Sequence, residues 1–186
     1  MQPMKNLMNL FILAIFCSPL TSFAQNNVCA DFNKVKSMME SGFSAIKGTK
    51  TSEGTTDYGI MLITKKVWAS NYRFPESLSA EITDVLKVAP DPKNAGHNVF
   101  ITFNFVKNTT RAAAEAIFNK IRDEIKSCTP ANWHVQEKSG TTYGKYFVMD
   151  GTYYDEAPHK ITLQFSKLEG PGDKYTTDLF FDGAVK

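Results

Sequence analysis

Two carboxylates stand beside an imidazole in Asp155-Glu156-Ala157-Pro158-His159, the raw material of general acid–base chemistry. Pro158 makes this segment a turn, and a solvated hairpin loop accounts for it without catalysis. The other histidines, His97 and His134, form no pair at metal-binding spacing. There are three cysteines, Cys17, Cys29 and Cys128. A reactive thiol would need a reducing or protected setting, whereas an even pair in an oxidising compartment is spent on a bridge. The chain holds no Gly-x-Ser-x-Gly elbow between strand and helix, no phosphate loop and no dinucleotide fingerprint. No catalytic residue, metal or cofactor is implied. The sequence leans away from an enzyme, although a site assembled across the fold stays open as a third reading.

Recognition chemistry is better represented. Trp68-Ala69-Ser70-Asn71-Tyr72-Arg73-Phe74-Pro75 gathers an indole, a phenol, a guanidinium and a phenyl ring in one connection between expected strands. Such residues bury large rigid area while keeping a polar handle, which is why they carry energy at interfaces. Trp68, Tyr72, Arg73 and Phe74 are therefore the candidate binding residues. A second reading has Trp68 and Phe74 folding inward to plug the end of the core. Phe100 alternates away from Val99, Ile101, Phe103 and Phe105, so one aromatic is expected on an open sheet face. Asn108-Thr109-Thr110 fits a glycosylation acceptor, relevant only in a host that glycosylates. Lys65-Lys66 and the scattered lysines make an ordinary solvated face without the aromatic interleaving of a nucleic-acid groove.

What must position these residues is a chain that repeats itself. Phe32-Asn33-Lys34-Val35-Lys36 returns 86 positions later as Phe118-Asn119-Lys120-Ile121-Arg122, and Gly54-Thr55-Thr56 returns as Gly140-Thr141-Thr142. Each half opens with an amphipathic helix. Val28, Phe32, Val35, Met39, Phe43 and Ile46 form one apolar stripe, and Ile117, Phe118, Ile121 and Ile125 form the other. Thr109 or Thr110 caps the second helix and Thr129-Pro130 ends it. Strands are expected over about 57–67, 78–88 and 98–106, then over about 132–138, 142–153, 159–168 and 174–182. The strand over 132–138 has no clear counterpart in the first half. Turns fall at Pro90-Asp91-Pro92-Lys93-Asn94 and Glu169-Gly170-Pro171-Gly172-Asp173. Clean alternation at Ile161, Leu163 and Phe165 predicts a sheet with one face on the core. The fold class is thus α+β: a helix plus three or four antiparallel strands, twice, with the helices on one face of the sheet and the other face open. A pseudo-twofold axis would run the helices antiparallel and bring Cys29 beside Cys128. That bridge closes a loop of about 100 residues, worth ~4 to 5 kcal/mol in the chain-entropy model.

The layout resembles that of secreted beta-lactamase inhibitor proteins, in which two helix-plus-sheet units form a concave sheet. The resemblance lies in the layout and carries no residue across. Export is also expected from the N-terminus. Lys5, the apolar run Leu10 to Cys17, Pro19 and the small-x-small Ser22-Phe23-Ala24 read as a secretory signal over 1–24, too short to span a membrane. Phe16 before Cys17 argues against a lipoprotein. Losing Lys5 takes the net charge from +2 to +1, so neither nucleic acid nor a membrane surface is implied as a partner. Residues 25–186 then form a single domain with halves of about 25–108 and 109–186, exported to the periplasm or secreted. The expected function is non-catalytic binding of another macromolecule, a protein, through the open sheet face and the 68–75 loop, in the manner of an inhibitor or immunity protein. The alternative is a carrier of a small apolar ligand between helix and sheet, motivated by the abundance of Phe and Met.

Overall fold

The computed structural model describes residues 28–129, 131, 134–140, 144–150 and 160–184. The leader over 1–24, with Cys17, and the Asp155 to His159 turn lie outside the described residues.

The first apolar stripe predicts one helix from Val28 to Ile46, but helix α1 stops at Ser37 and short 3-10 turns follow at Met39–Ser41 and Ser44–Ile46. Local competition explains the break. Ser37 Oγ donates to Lys34 O at 2.7 Å and Ser41 Oγ to Met38 O at 2.9 Å, offering the backbone carbonyls a partner other than the next turn. Gly42 then takes a left-handed φ of 58° and Phe43 follows at 60°, which no helix accommodates. The detour still delivers Met39, Phe43 and Ile46 to the core. Helix α2, Arg111–Lys126, matches expectation, and Thr110 caps it by accepting from Ala113 N at 3.3 Å.

The strand expected over 57–67 is in fact the end of one strand, a turn and the start of another. Asp57 Oδ1 accepts from Gly59 N at 2.7 Å and Gly59 takes a φ of 77°, so the chain reverses between β1, Lys47–Asp57, and β2, Leu62–Ser70. The first half therefore has four strands, continuing with β3, Ser79–Val88, and β4, Gly96–Thr109. After α2 come β5, His134–Gly140, β6, Gly144–Asp150, β7, Lys160–Lys167, and β8, Tyr175–Ala184. All neighbours pair antiparallel in one open sheet ordered β1-β2-β3-β4-β8-β7-β6-β5. A block of six strands, β1 to β4, β8 and β7, is extended by β6 and β5. At its centre β4 and β8, the last strands of the two halves, pair through Ile101 and Phe181.

Alternation decides what is buried. Ile82, Ile101, Phe181 and Ile161 are register partners across β3, β4, β8 and β7, and all four are fully buried. With Phe103, Leu163, Phe165 and Leu179 they join Phe32 and Val35 of α1 and Phe118, Ile121 and Ile125 of α2 in one cluster. Rings meet within it: Phe32 and Phe118 lie 5.5 and 6.2 Å from Phe181 and Phe165. Helix α2 contacts β4, β7 and β8, while the 3-10 turn at Met39 contacts β8. Cys29 in the first turn of α1 and Cys128 just past α2 bring their sulfurs to disulfide distance, with Cα atoms 5.0 Å apart.

Candidate functional site

The four residues singled out in the 68–75 segment do not form one surface. Trp68 lies inside β2, as register partner of Ile82, and its ring packs on the core with Lys47 Nζ 4.3 Å above it. Tyr72 is half-buried. Its hydroxyl donates to Asp31 of α1, its ring meets Phe103 edge-on at 6.2 Å, and Lys34 Nζ stands 4.6 Å from it. Burial pushes the Tyr72 phenol well above its usual range, and the hydrogen bond to the Asp31 carboxylate, with its charge, adds to the shift. Phe74 is 1% exposed, with its ring 5.5 Å from Phe103 and 6.1 Å from Phe105. Arg73 is exposed. Glu76, in the same connection, receives Lys120 of α2 at 2.7 Å. The connection thus clasps α1, α2 and the sheet, and it does so from the buried side.

The opposite face of the central strands offers different chemistry. Register pairs Phe100 with Asp182, Thr102 with Phe180 and Asn104 with Asp178. The Phe100 and Phe180 rings lie 6.4 Å apart and tilted by 57°, and both remain partly exposed. Phe100 also partners Thr83, and Thr83 partners Val67; these two are only 5% and 8% exposed, so a row of little-exposed residues runs through β2 and β3 to Phe100 on β4 and ends at Asp182 on β8. Two rows on, Asn104 Nδ2 donates to Asp178 Oδ1 at 2.7 Å and to Thr176 Oγ1 at 2.9 Å, and Thr176 Oγ1 lies 3.0 Å from Asp178 Oδ2. This node floors a cleft of about 210 Å³, whose walls include Glu81, Thr102 and Lys107. Burial raises the Asp178 carboxyl above its ordinary range, against the hydrogen bonds from Asn104 and Thr176 and the charge of Lys107. Burial raises Asp182 likewise, opposed by Lys160.

Elsewhere the surface carries an apolar end and a contact between His97 and Asp84. Tyr58 and Ile60, at the β1–β2 turn, are 61% and 77% exposed, and Leu62, Leu86 and Val88 lie exposed beyond them, Leu62 and Val88 as register partners. A second cleft, of about 450 Å³, opens beside Ile60 and is walled by Lys87, Lys93 and Asn98. Neither cleft lies between helix and sheet, where a small apolar ligand would be carried. His97 Nε2 stands 2.7 Å from Asp84 Oδ1 on the buried-side row, with Lys47 3.9 Å from the same carboxylate. Among the described residues no cluster of His, Cys, Asp and Glu is built to hold a metal, and no helix is long and apolar enough to cross a membrane.

Sequence reasoning found Phe100 and missed Phe180, Asp178 and Glu81. The signal was present: Thr176, Asp178, Phe180 and Asp182 alternate with Thr177, Leu179 and Phe181, a polar face carrying one aromatic. The arrangement is a pair of aromatic rings with carboxylates on the neighbouring register rows. Comparison with protein-family models, with curated proteins and with solved structures returns no match for this chain.

Proposed function

We propose that this chain is an exported, non-catalytic binding protein that holds another protein against the sheet face opposite its buried core, as an inhibitor or immunity protein does. The observation that carries the reading is the Phe100–Phe180 pair, partly exposed at the junction of β4 and β8. Two partly exposed aromatic rings side by side on central strands support this reading because aromatic anchors dominate interface energetics. In this reading the protein is a tandem repeat of a helix and four strands, both helices cover one face, and the open face spans both halves. The element order, a helix before each set of four strands, supports the repeat. So does burial, since Phe32, Val35 and Met39 are buried and so are Phe118, Ile121 and Ile125, each 86 positions on. A cysteine pair at disulfide distance is what an oxidising compartment permits. Arg73 and the neighbouring connection belong to the scaffold and at most to the rim of the contact.

The test uses the processed full-length protein and a partner recovered from the native envelope fraction. Phe100→Ala and Phe180→Ala should each weaken capture by ~1 to 3 kcal/mol while melting temperature stays within a few degrees of the parent. Unchanged capture in both variants would remove the face from consideration.

A further inference from the structure

We infer that the cleft beside Phe180 is an arginine-side-chain site, so that the partner protein docks a guanidinium between Glu81 and Asp178. The inference rests on the binding-face reading above and names the chemistry of the partner there. Three features of the cleft point the same way. Its volume, about 210 Å³, holds several waters at ~30 Å³ each, the scale of one long side chain. Its wall is rich in acceptors. Glu81 and Asp178 supply carboxylates, Ser79 and Thr102 supply hydroxyls, and Asn104, with its amide nitrogen directed at Asp178 and Thr176, leaves its carbonyl oxygen as an acceptor. No described residue pairs with the Glu81 carboxylate, which is exposed at the mouth. Lys107, on the same wall, is one cation against two carboxylates.

The third feature is aromatic. Glu81, Thr102 and Phe180 are successive register partners, and Asp178 follows two residues before Phe180 on the same face. Phe180 therefore stands on the same face as the cleft, one register step from its wall at Thr102. A guanidinium suits this better than an ammonium, because its five donors in a fixed fork meet two acceptors at once and its plane stacks on an aromatic face. An anionic group such as a phosphate would face Glu81 and Asp178 and is repelled. The Asn104–Thr176 node holds the Asp178 carboxylate in place before anything binds, so little is lost in ordering it.

The experiment is a carboxylate-detected NMR titration of the processed full-length protein with N-acetyl-arginine methylamide, with the citrulline analogue as its neutral isostere and the lysine analogue as a compact cation. The Glu81 and Asp178 side-chain signals should move saturably with the arginine probe, with half-saturation at about 1–50 mM, as befits a ligand of this size. The lysine probe should bind more weakly and the citrulline probe should not saturate. Glu81→Gln and Asp178→Asn should each weaken the arginine probe about fivefold or more. Absence of a saturable shift, or equal shifts with citrulline, overturns the assignment from the parent protein alone, whatever the variants do. Partner capture that Phe100→Ala abolishes but Glu81→Gln and Asp178→Asn leave intact overturns the arginine site and keeps the binding face.

Discussion

Arg73 and Phe74 are adjacent in the chain and do opposite things. The Phe74 ring enters the Phe103–Phe105 cluster, whereas Arg73 is exposed. Phe74→Ala should cost ~3 to 5 kcal/mol of stability through the cavity it leaves, whereas Arg73→Ala should stay within ~0.5 kcal/mol; chemical denaturation of both variants reads the contrast. From sequence, interface and core-plug readings of this segment competed, because Trp, Tyr and Phe serve both and only the path of the backbone separates them. Asp178 makes a prediction in pH. Its folded pKa is raised above the usual carboxyl value by burial, so the folded state holds its proton more tightly than the unfolded chain does. The stability this brings is present at low pH and is lost as pH rises through the raised pKa. Asp178→Asn removes the titration, so its melting temperature relative to the parent should climb as pH goes from 3 to 7. A constant difference across that range would mean that the carboxyl is not perturbed.

At the scale of elements, the chain's second half was legible and the first was partly misread. Helix α2 has a cap, an unbroken apolar stripe and a stop, all local signals that agree. The stripe from Val28 to Ile46 is just as periodic, yet Ser37, Ser41 and Gly42 break it, and periodicity alone does not weigh hydroxyls and a left-handed glycine against apolar spacing. The Asp57-Tyr58-Gly59 turn was likewise hidden inside an apolar run, so β1 was missed and β2 began too early. Gly183 was invisible in the sequence. It lies in β8, where a Cβ would come within 2.7 Å of Met39 O and 3.1 Å of Val99 O, both backbone atoms. Only glycine lets the 3-10 turn after α1 approach the central strands so closely. Gly183→Ala should therefore destabilise the fold by ~1 to 3 kcal/mol, as overpacking against atoms that cannot step aside does, and a smaller loss would show that the turn yields. Cys29, in the first turn of α1, and Cys128, just past α2, stand at disulfide distance. Non-reducing peptide mapping should find them linked, and replacing both with Ser should lower stability by up to ~4 to 5 kcal/mol in the chain-entropy model.

Among the described residues there is one sheet, with β4 and β8 paired at its centre. The Phe-Asn-Lys recurrence suggests two halves, and the alternation of β4 predicts a strand with one side on the core. Neither shows that β4 and β8 would meet, because pairing between the last strands of two units depends on contacts far apart in the chain. That junction sets Phe100 beside Phe180 and Glu81 near Asp178, residues that are up to about a hundred positions apart and carry no motif. The candidate face is legible only once the register is known. Oxidative footprinting of the processed protein, alone and with the partner it captures, tests the face most directly. Phe100 and Phe180 should lose most of their reactivity on binding, with Tyr58, in the β1–β2 turn, unchanged. Protection of Tyr58 with Phe100 and Phe180 left as reactive as in the free protein would place the partner elsewhere and contradict the binding face.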